Sequence, residues 1–396
     1  MIQVGALKEE LKRQLNGIGR ICNMNEPIRI LQVFAEMNRG GAETMIMNLY
    51  RNIDREKIQF DFIVHTQEKC AFDDEIEELG GKIYRVPRYI GTNHFAYKKV
   101  WKDFFVNHAN YKIIHGHVRS TASIYLKIAK SYNLTTIAHS HSTSSGTGVS
   151  SVIKNLFQYP IRNTSDYFLA CSESAGKWLF GDEIVASNKF NILNNAIETD
   201  QFIFNNQIRK AIRNEFDIEG KYVIGHVGRF QRMKNHEFLI DIFKSIHDEI
   251  EDSTLLLIGD GPLKESVQSK VRRENLENSV IFAGVRSDVS DIFQGMDLFL
   301  FPSLFEGLGI VVVEAQAAGL SCIISDQIPN EAIVTNLVEK APLSKSSEYW
   351  AEKAMKKTNY LRKDTSKFIK NAGYDIHDTT KWLENFYLDQ INNLKG

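Results

Sequence analysis

Cysteine is scarce in this chain. Only Cys22, Cys70, Cys171 and Cys322 occur among 396 residues, far apart and with no C-x-x-C pair. That spacing argues against a disulfide-stapled scaffold and against a thiolate zinc site, and it fits a reducing cytoplasm. Long apolar runs are missing as well. None approaches the ~20 residues of a membrane span, and the first residues lack the apolar core of a secretory signal. Nor does charge of one sign accumulate. With 48 Lys+Arg against 49 Asp+Glu, the net charge of −1 gives no whole-molecule field to attract nucleic acid. Three catalytic signatures are also absent. There is no D-x-D pair to hold a divalent cation on phosphates, no G-x-x-x-x-G-K-[ST] loop and no G-x-S-x-G elbow.

What is present is an alternation of short apolar runs with amphipathic stretches. IRILQVF (28–34), FDFIVH (60–65), KIIHGH (112–117), TTIAHS (135–140) and YFLACS (167–172) form one strand-like series. YVIGHVG (222–228), TLLLIG (254–259), VIFAG (280–284), LFLF (298–301) and CIIS (322–325) form another. Helical patterns between them predict parallel sheets built from βαβ units, hence an α/β protein. The polar, aperiodic stretch 194–207 divides the series, so two doubly wound domains are expected, over 27–195 and 208–375. Residues 376–396 read as an amphipathic helix with Trp382, Phe386 and Tyr387 available for packing. Residues 1–26 are a polar extension with no assigned role. Ligands of doubly wound sheets sit beyond the carboxyl ends of the strands, which predicts a cleft between facing domains.

The most informative segment is FPSLFEGLGIVVVEAQAAG (301–319). A strand runs into a turn holding Glu306, Gly307 and Gly309, and an amphipathic helix with Glu314 inside it is predicted to end at Gly319. A helix N-terminus points bare N–H groups at an anion, phosphate above all. Eight residues of helix span about 12 Å, wide for an acid/base pair but suited to two acceptors gripping hydroxyls at opposite ends of one ligand. In GHVGRFQRMKN (225–235), Arg229 and Lys234 lie on the loop after a strand, where two fixed cations can neutralise a diphosphate or be ordinary surface charges. Gly40 and Gly41 precede a helix with Glu43 in its first turn. They permit close approach of backbone to a phosphate or sugar, or simply form a tight turn.

His139 and His141 end a strand on the same face, followed by a Ser/Gly/Thr loop (STSSGTGVSS, 142–151). No Cys, Asp or Glu follows to complete a zinc shell, so contact with a substrate hydroxyl is the better reading. His115 and His117 are read as packing histidines. GDGP (259–262) is read as architectural, with Asp260 a candidate cap and Pro262 at the first helical position. Backbone around Val285 is placed to face a base edge. Between Lys98 and Ser150, seven Lys/Arg stand against Asp103 alone, either a solvated face or a site for anionic head groups.

Taken together and in this order, RGGAE, AHSH, V-G-R…K-N, GDGP and FEGLGIVVVE resemble the retaining glycosyltransferases of family 4. The resemblance runs from about Arg29 to the last helix. It implies the GT-B fold, with two facing Rossmann-like domains, an interdomain cleft and a C-terminal helix crossing back to the first domain. It further implies that Arg229 and Lys234 bind the donor diphosphate in place of a metal. Glu314 would accept from the nucleotide ribose, Glu306 would contact hydroxyls of the donor sugar, and backbone at Gly307, Leu308 and Gly309 would hold sugar and phosphates. Gly41 would let the opposing domain approach the diphosphate, and His139 would stand near the reacting carbon. No cofactor is implied beyond the nucleotide sugar, and no general base is assigned. RGGAE with AHSH is similar to bacterial capsule and exopolysaccharide members. The expected enzyme is therefore cytoplasmic, peripheral at the inner face of the membrane, moving a hexose or N-acetylhexosamine from a UDP-linked donor to a glycan or lipid-linked saccharide. Competing readings are a UDP-sugar epimerase on the same fold and a catalytically silent glycan-binding subunit.

Overall fold

A computed structural model describes residues 26–142, 158–358 and 360–394. The N-terminal segment 1–25, with Cys22, and most of the loop that follows His141 lie outside the described residues. Seven strands form the first sheet: β1 Ile28–Phe34, β2 Ile58–Val64, β3 Ile83–Arg85, β4 Ile113–Gly116, β5 Thr135–Ser140, β6 Tyr167–Ala170 and β7 Phe190–Ile192. Six form the second: β8 Tyr222–Val227, β9 Ser253–Ile258, β10 Val280–Gly284, β11 Leu298–Phe301, β12 Ser321–Ser325 and β13 Val338–Ala341. Strand order is β3-β2-β1-β4-β5-β6-β7 in one and β10-β9-β8-β11-β12-β13 in the other. Every pairing is parallel.

Helices cover both faces of each sheet, which is why the central strands read as unbroken apolar runs. β2 is buried at all seven positions and β9 at all six. The order reverses between β1 and β4, and again between β8 and β11. At such a point the outgoing loops part and leave a crevice beyond the strand ends. β3, β7 and β13, not anticipated from the sequence, are edge strands of three or four mostly half-buried residues, too short for alternation to register.

Two stretches of chain join the halves. Residues 193–205 lead from β7 into the helix Asn206–Glu215, and Ile197 pairs with Asp375 in an isolated parallel bridge. The last helix, Ile376–Asn393, then returns to the first half. Its Leu383, Phe386, Tyr387 and Ile391 join Ile30, Phe34, Phe60 and Ile113 in one core, and Glu384 accepts from the Asp54 amide at 2.7 Å.

Candidate active site

The loops flanking the β8–β11 reversal carry the charged residues singled out above. After β8 come Arg229 and Lys234; after β11 comes Glu306. Lys234 Nζ lies 2.7 Å from Glu306 Oε1 and 4.7 Å from the Phe301 ring centroid. Ser303 donates to the same Glu306 oxygen at 2.6 Å. The two neutralise each other with little solvent access, since their side chains are 14% and 12% exposed. Arg229, by contrast, is exposed on the cleft wall.

The geometry corrects two expectations about residues 306–317. The helix spans only Ile310–Ala317, capped by Gly309 in a left-handed conformation (φ 82°, ψ 50°). That reversal folds the loop back, so a Cβ on Gly309 would stand 3.6 Å from Glu306 Cγ. Glu306 therefore belongs to the turn, and its separation from Glu314 is not a helical span. The helix is also not amphipathic: Val311, Val312, Val313, Ala315, Gln316 and Ala317 are all buried, because elements pack around it on every side. Leu308 points into that core, leaving only its backbone for a ligand. Glu314 is half-buried at this helix. Desolvation pushes its carboxyl up to about 7, with the Lys234 ammonium pulling the other way.

Gly259 and Gly261 explain GDGP. A Cβ on Gly259 (φ 134°) would come within 2.2 Å of the Gly228 carbonyl oxygen, and one on Gly261 within 2.5 Å of that of Phe230. The bare glycines thus let this turn brace the loop bearing Arg229. Asp260 does not cap the next helix; it accepts from the Gly261 amide at 2.7 Å, and the helix begins at Lys264, beyond Pro262. Val285, 61% exposed, stands on the rim.

A cleft of about 920 Å³ separates this wall from the first domain. Arg229, Gly259, Gly261 and Val285 line one side; Arg39, Thr44, Asn48 and Arg51 line the other. Gly40 caps the helix Gly41–Asn52, whose exposed face supplies the last three of these. A Cβ on Gly41 would meet nothing, whereas the Glu43 carboxylate closes over Gly40 at 2.3 Å from where its Cβ would be. Burial, together with the charge of Glu36, raises the Glu43 carboxyl.

The strand end at His139 and His141 reaches the second domain directly. A Cβ on Gly307 would stand 3.2 Å from the His141 carbonyl oxygen. The two rings stack at 4.0 Å. His115 and His117, read from sequence as packing residues, join them. His115 Nε2 lies 3.1 Å from His139 Nδ1, and His117 Nδ1 lies 2.7 Å from His141 Nε2. Burial drives His115 and His141 down to about 3 and holds His117 and His139 well below the ordinary imidazole value, so all four are neutral near pH 7. Ligand atoms of His115, His117 and His139 lie within 4.8 Å of one another. Tetrahedral zinc would bring them to about 3.4 Å. Their hydrogen bonds run among themselves and to Gln32 and Tyr387.

Several cleft and network residues were not anticipated. Gln32 had a signal, being the lone polar residue well inside the apolar run of β1. Arg39, Thr44 and Arg51 had none beyond membership of the first loop and helix, and the role of Tyr387 depends on where the last helix docks.

Residues 39–201 match the family described as Glycosyltransferase Family 4, and residues 208–372 match Glycosyl transferases group 1. EpsF of Bacillus subtilis (strain 168) is 34% identical over 369 residues, covering 91% of this chain and 96% of its own. The capsular polysaccharide biosynthesis glycosyltransferase CapH of Staphylococcus aureus is 24% identical over 374 residues, 92% of this chain and 99% of its own. The crystal structure of Anabaena Alr3699/HepE in complex with UDP and glucose superposes with a TM-score of 0.74 at 15% identity, over 91% of this chain and 99% of that one.

Proposed function

The chain belongs to glycosyltransferase family 4 and has its two-domain GT-B fold, and from that premise we propose a retaining, metal-independent transfer of a hexose or N-acetylhexosamine from a UDP-linked donor. The acceptor in this reading is a hydroxyl of a glycan or lipid-linked saccharide in capsule or exopolysaccharide assembly; capsular polysaccharide biosynthesis is the process named for CapH. UDP is the nucleotide named with the HepE structure.

One observation carries the proposal: a guanidinium, an ammonium and a turn of backbone amides flank the strand-order reversal of the second sheet, opposite the histidine-bearing strand ends of the first. In this reading Arg229 and Lys234 take the charge of the leaving diphosphate, the work a divalent cation does elsewhere. Glu306 and Glu314 hold sugar and ribose hydroxyls, and His139 faces the donor sugar. Catalysis then rests on positioning and on stabilising the leaving group.

A membrane-bound acceptor fits the surface of the first domain. Phe95 is 86% exposed and Ile90 67% exposed, next to Lys98, Lys99 and Lys102 on the helix His94–Asn107. Lys130, by contrast, is held by Asp166 and does not extend this basic face. Among the described residues no helix is long and apolar enough to cross a membrane.

The test is a panel of nucleotide sugars screened by thermal stabilisation, then assayed for nucleotide release with lipid-linked acceptors and for the anomeric configuration of the product. Stabilisation by a UDP-sugar and a product retaining the donor configuration are expected, with activity indifferent to chelators. A strict magnesium requirement, or a nucleotide lodged outside the cleft, would overturn it. Conversion of a UDP-sugar without acceptor would move the chain to the epimerase reading.

A further inference from the structure

The four histidines are wired in one direction. Gln32 Nε2 can only donate, and it lies 3.2 Å from the Tyr387 hydroxyl oxygen. The single Tyr387 hydrogen is then free for His115 Nδ1, 2.7 Å away. A neutral His115 accepting at Nδ1 carries its hydrogen on Nε2 and gives it to His139 Nδ1 at 3.1 Å. His139 must therefore hold its own hydrogen on Nε2. The other face of the same amide runs the opposite way. Gln32 Oε1 can only accept, from His117 Nε2 at 2.9 Å. His117 Nδ1 is left bare and accepts from His141 Nε2 at 2.7 Å, so His141 Nδ1 is bare too.

Both chains end in a buried atom with no partner among the described residues: His139 Nε2 and His141 Nδ1. One end is a donor and the other an acceptor, on rings stacked 4.0 Å apart, at the strand end that meets Gly307. A hydroxyl, which gives one hydrogen bond and takes one, is the complementary group. Burial keeps all four rings neutral, and only a neutral ring both donates and accepts.

We propose that Gln32 and Tyr387 are positioning residues that fix the tautomers of His115, His117, His139 and His141, so that the strand end offers a sugar hydroxyl one N–H donor and one bare nitrogen. The proposal rests on the reading of His139 as the histidine facing the donor sugar. It makes the last helix more than a brace, since Tyr387 relays the direction of the Gln32 amide to His115.

Two-bond proton–nitrogen spectra of the full-length protein labelled with 15N-histidine, at pH 7, read the tautomers without ligand or turnover. All four rings are expected as single Nε2–H tautomers, identified by loss of one signal in each His→Gln variant. In Tyr387→Phe, the His115 and His139 signals should move toward mixed tautomers while those of His117 and His141 stay. Turnover should fall at least tenfold with the affinity for UDP within twofold, a split that general loosening of the helix would not give. A wild-type His139 protonated on Nδ1 overturns the proposal, as does a Tyr387→Phe protein with unchanged spectrum and turnover. If that variant does not fold, the wild-type spectrum decides alone. His139→Ala separates the two readings: full activity there removes the sugar-facing role yet leaves the tautomer assignment standing on the spectrum.

Discussion

The Lys234 ammonium sits 2.7 Å from Glu306, so two residues to which we assign opposite ligand roles are each other's partner. A donor diphosphate that draws Lys234 away would release Glu306 to the sugar hydroxyls, coupling the two contacts. Lys234→Ala is expected to lower turnover on the order of 100-fold, and Glu306→Gln to lower it while leaving UDP affinity nearly unchanged. Because each single change already breaks the pair, Lys234→Ala/Glu306→Ala should cost less than the sum of its parts. Strict additivity in a kinetic double-mutant cycle would show that the pair has no such role.

Arg229 has no such internal partner among the described residues and should act on the ligand alone. Charge-assisted hydrogen bonds contribute about 1.5–3 kcal/mol, so Arg229→Ala should weaken UDP binding roughly 10- to 100-fold. Calorimetric titration of the variant checks this; wild-type affinity with normal turnover would remove Arg229 from the site.

Glu314 supplies a pH signature. Its carboxyl, raised to about 7 by desolvation, is about half protonated at neutral pH before a ligand binds. Ribose hydroxyls donating to it favour the carboxylate, so binding expels a proton and affinity rises with pH. For a UDP-sugar, whose diphosphate does not titrate in this range, Kd should fall about tenfold from pH 6 to pH 8. Glu314→Gln should abolish that slope, and a slope that persists would place the proton elsewhere.

Acid should unfold the protein early. Burial lowers His65, His115, His117, His139, His141, His226 and His236. Below about 6.5 the unfolded chain takes up protons that the folded chain refuses until about 4 or 3, so stability is lost as pH falls through that window. Each such histidine adds about 1.4 kcal/mol per pH unit well inside the window. Urea midpoints should therefore drop steeply from pH 6.5 to pH 5; a flat profile would mean the rings are already charged in the native state.

The fold was legible because its central strands are long apolar runs, and all ten that the sequence displayed are strands. What it hid were edges such as β3 and β7, where three residues, none of them buried, carry no period. The charged loop residues were legible by type and by position after a strand. Their mutual pairing was not, since Lys234 and Glu306 lie 72 residues apart and meet only because β8 and β11 are neighbours. Likewise His115 and His117 look like packing residues until β4 is set beside β5 and Tyr387 is brought in from 272 residues away. Residue types announce chemistry; partners come from topology.

The return of the last helix also governs how the chain is made. Leu383, Phe386, Tyr387 and Ile391 complete a core whose other walls come from β1, β2 and the helix Gly41–Asn52. On a ribosome adding about 5–20 residues per second, that apolar surface waits roughly 10–40 s after the first domain has emerged. Until the final turns are synthesised, the nascent chain presents an open apolar groove, and His115 lacks its Tyr387 partner. Chaperone occupancy should be heaviest during that interval.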